Sequence, residues 1–230
     1  MTAPFSFYKE HPKTCAPDDF WGQVKRTVNG RPVSDDQITM IVETVSSGLD
    51  LQRDDVLLDL CCGNGALTSL FFNRCRGGLG VDFSEKLIEV AKDNFERLPG
   101  QAYVLDDVVD YLHMDPNPHH YTKILCYGSF AYLEYEHAEE LLRLCFEKYQ
   151  NASVLYIGNC PDKDQIQQFF KDEVYDKDIE DKADSAIGIW RTRDEFKVLA
   201  EASGWRIHFI HMPVTFYAAN YRYDAVLTRV

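Results

Sequence analysis

Three aspartates, Asp59, Asp82 and Asp106, stand 23 and 24 residues apart, each near the end of a short apolar run. The first opens a glycine turn, "DLCCGNG", from Asp59 to Gly65. Carboxylates accept hydrogen bonds from hydroxyl and amino groups. Gly63 and Gly65 let the backbone approach a ligand more closely than any side chain would allow. Together these groups suit a nucleotide-like ligand. The adjacent Cys61 and Cys62 offer a rival chemistry, but the seven cysteines show no CxxC and no metal-ligand spacing. We read the pair as small loop or strand residues. His113, His119 and His120 lie among two prolines in "YLHMDPNPHHY" and read as an exposed turn rather than a metal cluster. No metal site is expected.

The elements that must position these acids follow from hydrophobic period. Apolar runs cover Asp55–Leu60, Gly77–Phe83, Ala102–Asp107 and Lys123–Ser129, and a fifth covers Ser153–Cys160. Continuous apolar strands suit a parallel sheet covered on both faces. Amphipathic helical stretches lie between them, "ALTSLFFNRC", "SEKLIEVAKDNFERL" and "EHAEELLRLCFEKY", with Ser84 placed as an N-cap and Pro99-Gly100 as a stop. Alternating strands and helices predict an α/β, doubly wound sheet with right-handed crossovers. Its ligand crevice then lies outside the carboxyl ends of the strands, where the three acids converge. Arg206–Pro213 and Tyr223–Val230 are two further strands joined by the short aromatic stretch "TFYAANYRY", so at least one of them should run antiparallel. Residues 1–230 read as one domain. Residues 1–50, broken at Pro12, Pro17 and Pro32, read as a mostly helical cap. Residues 51–230 form the core, with a charged, lid-like insertion near 160–190.

Hydrophobic residues make up 45% and charged residues 27%, ordinary for a globular domain able to bury one core. The net charge of −13 argues against nucleic acid, whose phosphates need a basic footprint. "MTAPFSFYKEHPKT" lacks a signal-peptide run and no segment reaches transmembrane length, so no membrane partner is expected. An odd set of scattered cysteines fits a reducing, cytoplasmic location.

The stretch "VLLDLCCGNGALT" (Val56–Thr68), with "GVDFS", "VLDDV" and "ILCYGSFAYL" after it, resembles the class I, Rossmann-like S-adenosylmethionine-dependent methyltransferases. The resemblance spans roughly Val56 to Val230. It implies a mostly parallel seven-stranded sheet with an antiparallel C-terminal strand and an N-terminal helical cap. It also implies S-adenosylmethionine as cofactor and S-adenosylhomocysteine as product. In it Asp59, Cys61, Gly63 and Gly65 form the first motif. Asp82, with Phe83 beside it, takes the two ribose hydroxyls. Asp106, with Asp107 as its neighbour, accepts from the adenine amino group, and Cys126 belongs to the fourth motif. Cys61 departs from the pattern by replacing a glycine. The acid often found before the fourth strand is also absent from Tyr121-Thr122-Lys123.

Methyl transfer from a sulfonium needs alignment and desolvation above all, and a base only where the acceptor must lose a proton. His137, Tyr127 and Tyr132 are the catalytic candidates. Tyr8, Trp21, Ser129, Asn159, Trp190 and Tyr217 are the substrate-binding ones. The expected acceptor is a small molecule, methylated on oxygen or nitrogen rather than carbon, and a homodimer is compatible with the reading. Two alternatives stay open. One is an NAD-dependent oxidoreductase, which Thr68 fits poorly because the NAD pattern wants glycine or alanine there. The other is a non-catalytic subunit that binds an S-adenosyl compound.

Overall fold

The computed structural model describes residues 3–171 and 173–229, with side chains given from Phe7 onward. Residues 1–2 of the expected cap and Val230 of the expected last strand lie outside that set. Seven strands form the main sheet: β1 (Val56–Leu60), β2 (Gly77–Asp82), β3 (Gln101–Leu105), β4 (Lys123–Tyr127), β5 (Val154–Pro161), β6 (Arg206–Ile210) and β7 (Arg222–Thr228). Their order is β3-β2-β1-β4-β5-β7-β6. The first five are mutually parallel, and β7 runs antiparallel to both β5 and β6. The order reverses between β1 and β4, so the crevice for a ligand opens at their carboxyl ends.

Period-two alternation divides the sheet between two apolar layers. Leu58 and Leu60 of β1 and Ile124 and Cys126 of β4 face one layer, closed by α6 (Val108–Met114), α7 (Tyr135–Lys148) and α9 (Arg193–Ala202). Leu57, Leu125 and Tyr127 face the other, closed by α3 (Asp35–Gly48), α4 (Ala66–Phe72) and α5 (Glu85–Phe95). Covering both faces makes β1 and β4 buried along their whole length.

The N-terminal region departs from a simple helical cap. In α3, Ile38, Ile41, Val42 and Val45 recur at helical spacing and bury themselves against the sheet, so this helix belongs to the core sandwich. The cap proper is α1 (Ala3–Glu10), a 3₁₀ turn (His11–Thr14) and α2 (Phe20–Gln23). A two-stranded hairpin follows, Thr27–Val28 with Arg31–Pro32, in place of the expected helix. Asn29 and Gly30 turn it with φ of 51° and 75°, the left-handed pair that a tight hairpin requires. The insertion near 160–190 folds on itself through α8 (Ile166–Phe170) and a 3₁₀ turn (Lys177–Asp181), where Lys163 meets Glu180 at 3.4 Å. It joins the loop after β4 through the Ile189 N–H, which donates to the Ala131 carbonyl at 2.7 Å.

Ile41 is fully buried between α3 and the sheet. Ile41→Ala should cost about 2–5 kcal/mol in chemical denaturation. Exposed Val198 on α9 is the control, and Val198→Ala should change stability by less than about 0.5 kcal/mol.

Candidate active site

The turn after β1 threads three left-handed residues, Cys61 (φ 63°), Gly63 (φ 60°) and Gly65 (φ 76°). Gly63 lies under the cap, since a Cβ there would stand 3.0 Å from Val24, and Gly65 starts α4. Cys61 holds the backbone of the glycine it replaces, a conformation costing about 1–2 kcal/mol for a residue with a side chain. Its thiol pairs with that of Cys126 on β4, and together with burial this pushes the Cys61 thiol up. Cys62 turns inward and donates to the Gly63 carbonyl at 3.5 Å. Every cysteine is free, and among the described residues no group of three His, Cys, Asp or Glu is placed to hold a metal.

Two buried carboxylates form the wall of a cleft at the carboxyl ends of β1, β2 and β4. Asp82 Oδ2 accepts from the Gly63 N–H at 2.9 Å, and Oδ1 accepts from the Ser84 N–H at 2.9 Å. One side chain therefore ties the end of β2 to the glycine turn. Ser84 occupies the N-cap of α5, but its hydroxyl donates to the Tyr8 carbonyl at 2.9 Å and fastens the cap to the core. Asp59 accepts from the Thr68 hydroxyl at 2.5 Å. Burial raises Asp59 to about 7 and Asp82 to about 6, against an ordinary 3.8. Carboxyls so short of solvent favour any further donor that reaches them.

The cap closes the cleft from above. Asn64 Nδ2 donates to the Phe20 carbonyl and to Gln23 Oε1, each at 2.8 Å. At the far end Tyr8 Oη donates to Tyr132 Oη at 3.2 Å, and Tyr132 Oη to the Ala186 carbonyl of the insertion at 3.0 Å. Tyr127 lines the same end, its buried hydroxyl without a partner and pushed up by burial. Arg26 lies over the rings of Trp21 (5.7 Å) and Tyr127 (5.5 Å).

Of the residues singled out from the sequence, Asp59, Cys61, Gly63, Asp82, Phe83 and Asp107 line the cleft on the side of β1, β2 and α6. Tyr8, Tyr127, Ser129 and Tyr132 line the other. Several do not reach it. Asp106 gives way to Asp107, which lines the cleft and caps α6 by accepting from the Val109 and Asp110 N–H groups. Gly65 and Cys126 act beneath the cleft, as helix start and core. His137 is exposed at the start of α7, because the residues after it carry the buried face. Trp190 is buried against Phe169 and Tyr221, a core of the insertion rather than a substrate contact. Trp21, Asn159 and Tyr217 stand behind the lining. The sequence reading missed Arg26, Asn64 and Gly128 in the lining. Asn64 and Gly128 lie inside motifs already quoted, whereas nothing in "QVKRTV" marks Arg26.

Strand order, glycine turn and end-of-strand acids define the class I, Rossmann-like methyltransferase fold. Residues 57–150 match the family model described as "Methyltransferase domain". A Methanocaldococcus jannaschii protein named as a probable cobalt-precorrin-6B C(15)-methyltransferase (decarboxylating) is 33% identical over 92 residues, 36% of this chain and 46% of that protein. The chain spans less than half the length of the curated relatives it matches. Magnesium protoporphyrin IX methyltransferase from Synechocystis PCC 6803, with bound SAH, has a TM-score of 0.67 at 14% identity, covering 98% of this chain and 97% of that one. The methyltransferase domain of bacterial CtHen1 gives 0.59 at 19%, covering 84% and 98%. At these identities the likeness is one of fold. Among the described residues no helix is long and apolar enough to cross a membrane.

The folded state holds protons on Asp59 and Asp82 that the unfolded chain releases near pH 4. Their contribution to stability is therefore greatest at low pH and falls as pH rises through about 6 to 7. Asp59→Asn, which removes the charge and keeps the shape, should lose less stability than the parent between about pH 5 and about pH 7.5, as read from urea midpoints.

Proposed function

We propose that the protein transfers a methyl group from S-adenosylmethionine to a small molecule enclosed beneath the N-terminal cap. The observation that carries this reading is Asp82, a buried carboxylate on the cleft wall that already organises the Gly63 N–H and the Ser84 N–H. The donor set fits the cofactor. Asp82 offers acceptors to the ribose hydroxyls, Asp59 offers one to the ammonium of the methionine part, and Asp107 with Val108 borders the place for adenine. When bound, S-adenosylmethionine supplies a methyl group made electrophilic by its sulfonium sulfur.

The chain's own residues then act chiefly by position and exclusion of water. Tyr8, Tyr127 and Tyr132 border the acceptor end, where ring faces stabilise a nearby cation such as a sulfonium. The bonds from Ser84 to Tyr8 and from Asn64 to Phe20 and Gln23 hold the cap over the crevice. The tyrosine-bordered end beneath this cap supports a small acceptor methylated on oxygen or nitrogen. The net charge of −13 argues against nucleic acid as that acceptor. Seven free cysteines support a reducing, cytoplasmic location.

Calorimetry with S-adenosylhomocysteine and with NAD is the direct test. The protein should bind S-adenosylhomocysteine, and Asp82→Ala should weaken that binding about 10- to 100-fold, the scale of a lost charged acceptor. Binding of NAD in its place, or unchanged affinity in Asp82→Ala, contradicts the reading.

A further inference from the structure

The acceptor end of the cleft is lined by one guanidinium group that the methyltransferase reading does not use, Arg26, and a second, Arg222, stands behind the lining. Arg26 comes from the cap and lines the cleft beside Gly128, where its Nη2 would lie 3.8 Å from a Cβ. Arg222 comes from the start of β7, and its Nη1 donates to the Asn159 carbonyl at 2.5 Å. Asn159 links the two, since its Nδ2 would stand 3.5 Å from the same Gly128 Cβ. This residue holds a left-handed backbone (φ 62°) at the irregularity between β5 and β7, and its side-chain Oδ1 is buried without a partner. Neither arginine forms an ion pair with a carboxylate among the described residues. Asp59 feels Arg26, and Asp224 feels Arg222, but Asp59 is engaged by Thr68, and Asp224 by the Tyr156 hydroxyl and the Asn159 N–H. Tyr8, Tyr127 and Tyr217 each lie in the field of both guanidinium groups.

The cleft's buried carboxyls lie toward β1 and β2 and are engaged, Asp59 by the Thr68 hydroxyl and Asp82 by the Gly63 and Ser84 N–H groups. Among the described residues, no histidine or lysine lines the cleft. The lining tyrosines Tyr8 and Tyr127 are pushed up by burial, and Asp107 is spent as a helix cap. An alcohol would have to shed a proton there with nothing to take it. A protonated amine would need the same help and would meet two positive charges. A carboxylate or phosphoryl oxygen arrives already ionised, and its charge is the one that the arginines complement.

Resting on the methyltransferase reading, we infer that the acceptor is an oxyanion, held at the tyrosine end of the cleft by Arg26, with Arg222 behind the lining adding its positive charge. One anionic oxygen forms the new C–O bond with its own lone pair as the S–CH₃ bond breaks, and the electron pair of that bond remains on sulfur. The products are a methyl ester and a neutral thioether. Negative and positive charge cancel and no proton is released. Arg26 binds the acceptor in this scheme, Arg222 reinforces its charge from behind the lining, and the partnerless Tyr127 hydroxyl donates to a remaining oxygen.

The test uses the full chain saturated with S-adenosylhomocysteine, titrated calorimetrically with inorganic phosphate, phenylphosphonate and benzoate. The neutral dimethyl ester of phenylphosphonate is the control. At least one oxyanion should bind, and the ester about tenfold or more weakly. Preference among the three separates a phosphoryl from a carboxylate acceptor. Arg26→Gln and Arg222→Gln should each weaken the oxyanion about tenfold or more while changing S-adenosylhomocysteine affinity less than about threefold. Arg222→Lys, which retains the charge, should recover part of the loss and guards against a folding defect. Failure of all three oxyanions to bind the loaded protein overturns the inference, as does equal binding of the ester. Loss of S-adenosylhomocysteine affinity in Arg26→Gln with oxyanion affinity intact also overturns it. A parent chain that does not bind S-adenosylhomocysteine at all refutes the methyltransferase reading instead.

Discussion

A single buried carboxylate at the end of β2 holds the site together. Asp82 binds the Gly63 N–H with one oxygen and the Ser84 N–H with the other. It thereby couples the turn after β1 to the turn before α5. Through the Ser84 hydroxyl the same turn reaches the Tyr8 carbonyl and so the cap. Burial without a cationic partner makes this arrangement costly, which is why the carboxyl rises to about 6. A cofactor with hydroxyl donors would relieve that cost where it is incurred. A site that disfavours its own empty state in this way binds a complementary ligand with part of its reorganisation already done.

The same economy appears in two of the six left-handed non-glycine residues among those described, Cys61 and Asn159, which lie close to the cleft. Cys61 takes a glycine's backbone and Asn159 takes a left-handed one at a strand irregularity. Each is held by its surroundings. Cys61 rests on Cys126, and Asn159 is fixed by Asp224 through its N–H and by Arg222 through its carbonyl. Strain that persists only because packing overdetermines it clusters at functional sites. These two residues stand at the carboxyl ends of β1 and β5, on either side of β4 and next to the switch point.

Much of this was legible in the sequence because the signals are local. Continuous apolar runs mark strands buried on both faces, and glycines mark turns with left-handed backbone. Asp59 and Asp82 sit at strand ends because strand–turn–helix units repeat at nearly constant length. The Asn29-Gly30 hairpin departs from the helical expectation for residues 1–50, although the Asn-Gly pair is itself a local turn signal. His137 and Trp190 misled for a physical reason. Residue type and place after a strand do not say which way a helix face turns or whether an aromatic ring is spent on packing.

The sequence by itself determined the sheet, the glycine turn and the acids at its edge, since each depends on neighbours within a few residues. Tertiary structure alone shows that Asp107, and not Asp106, caps α6 and lines the cleft, because the three-dimensional turn sets where each carboxylate lies. It alone moved α3 from the cap into the core. It also brought together Arg26 and Arg222, 196 positions apart and from unrelated elements. Long flexible side chains carry no periodic signature. Their meeting depends on how the cap, the β5 irregularity and β7 pack around Gly128, which no local pattern encodes.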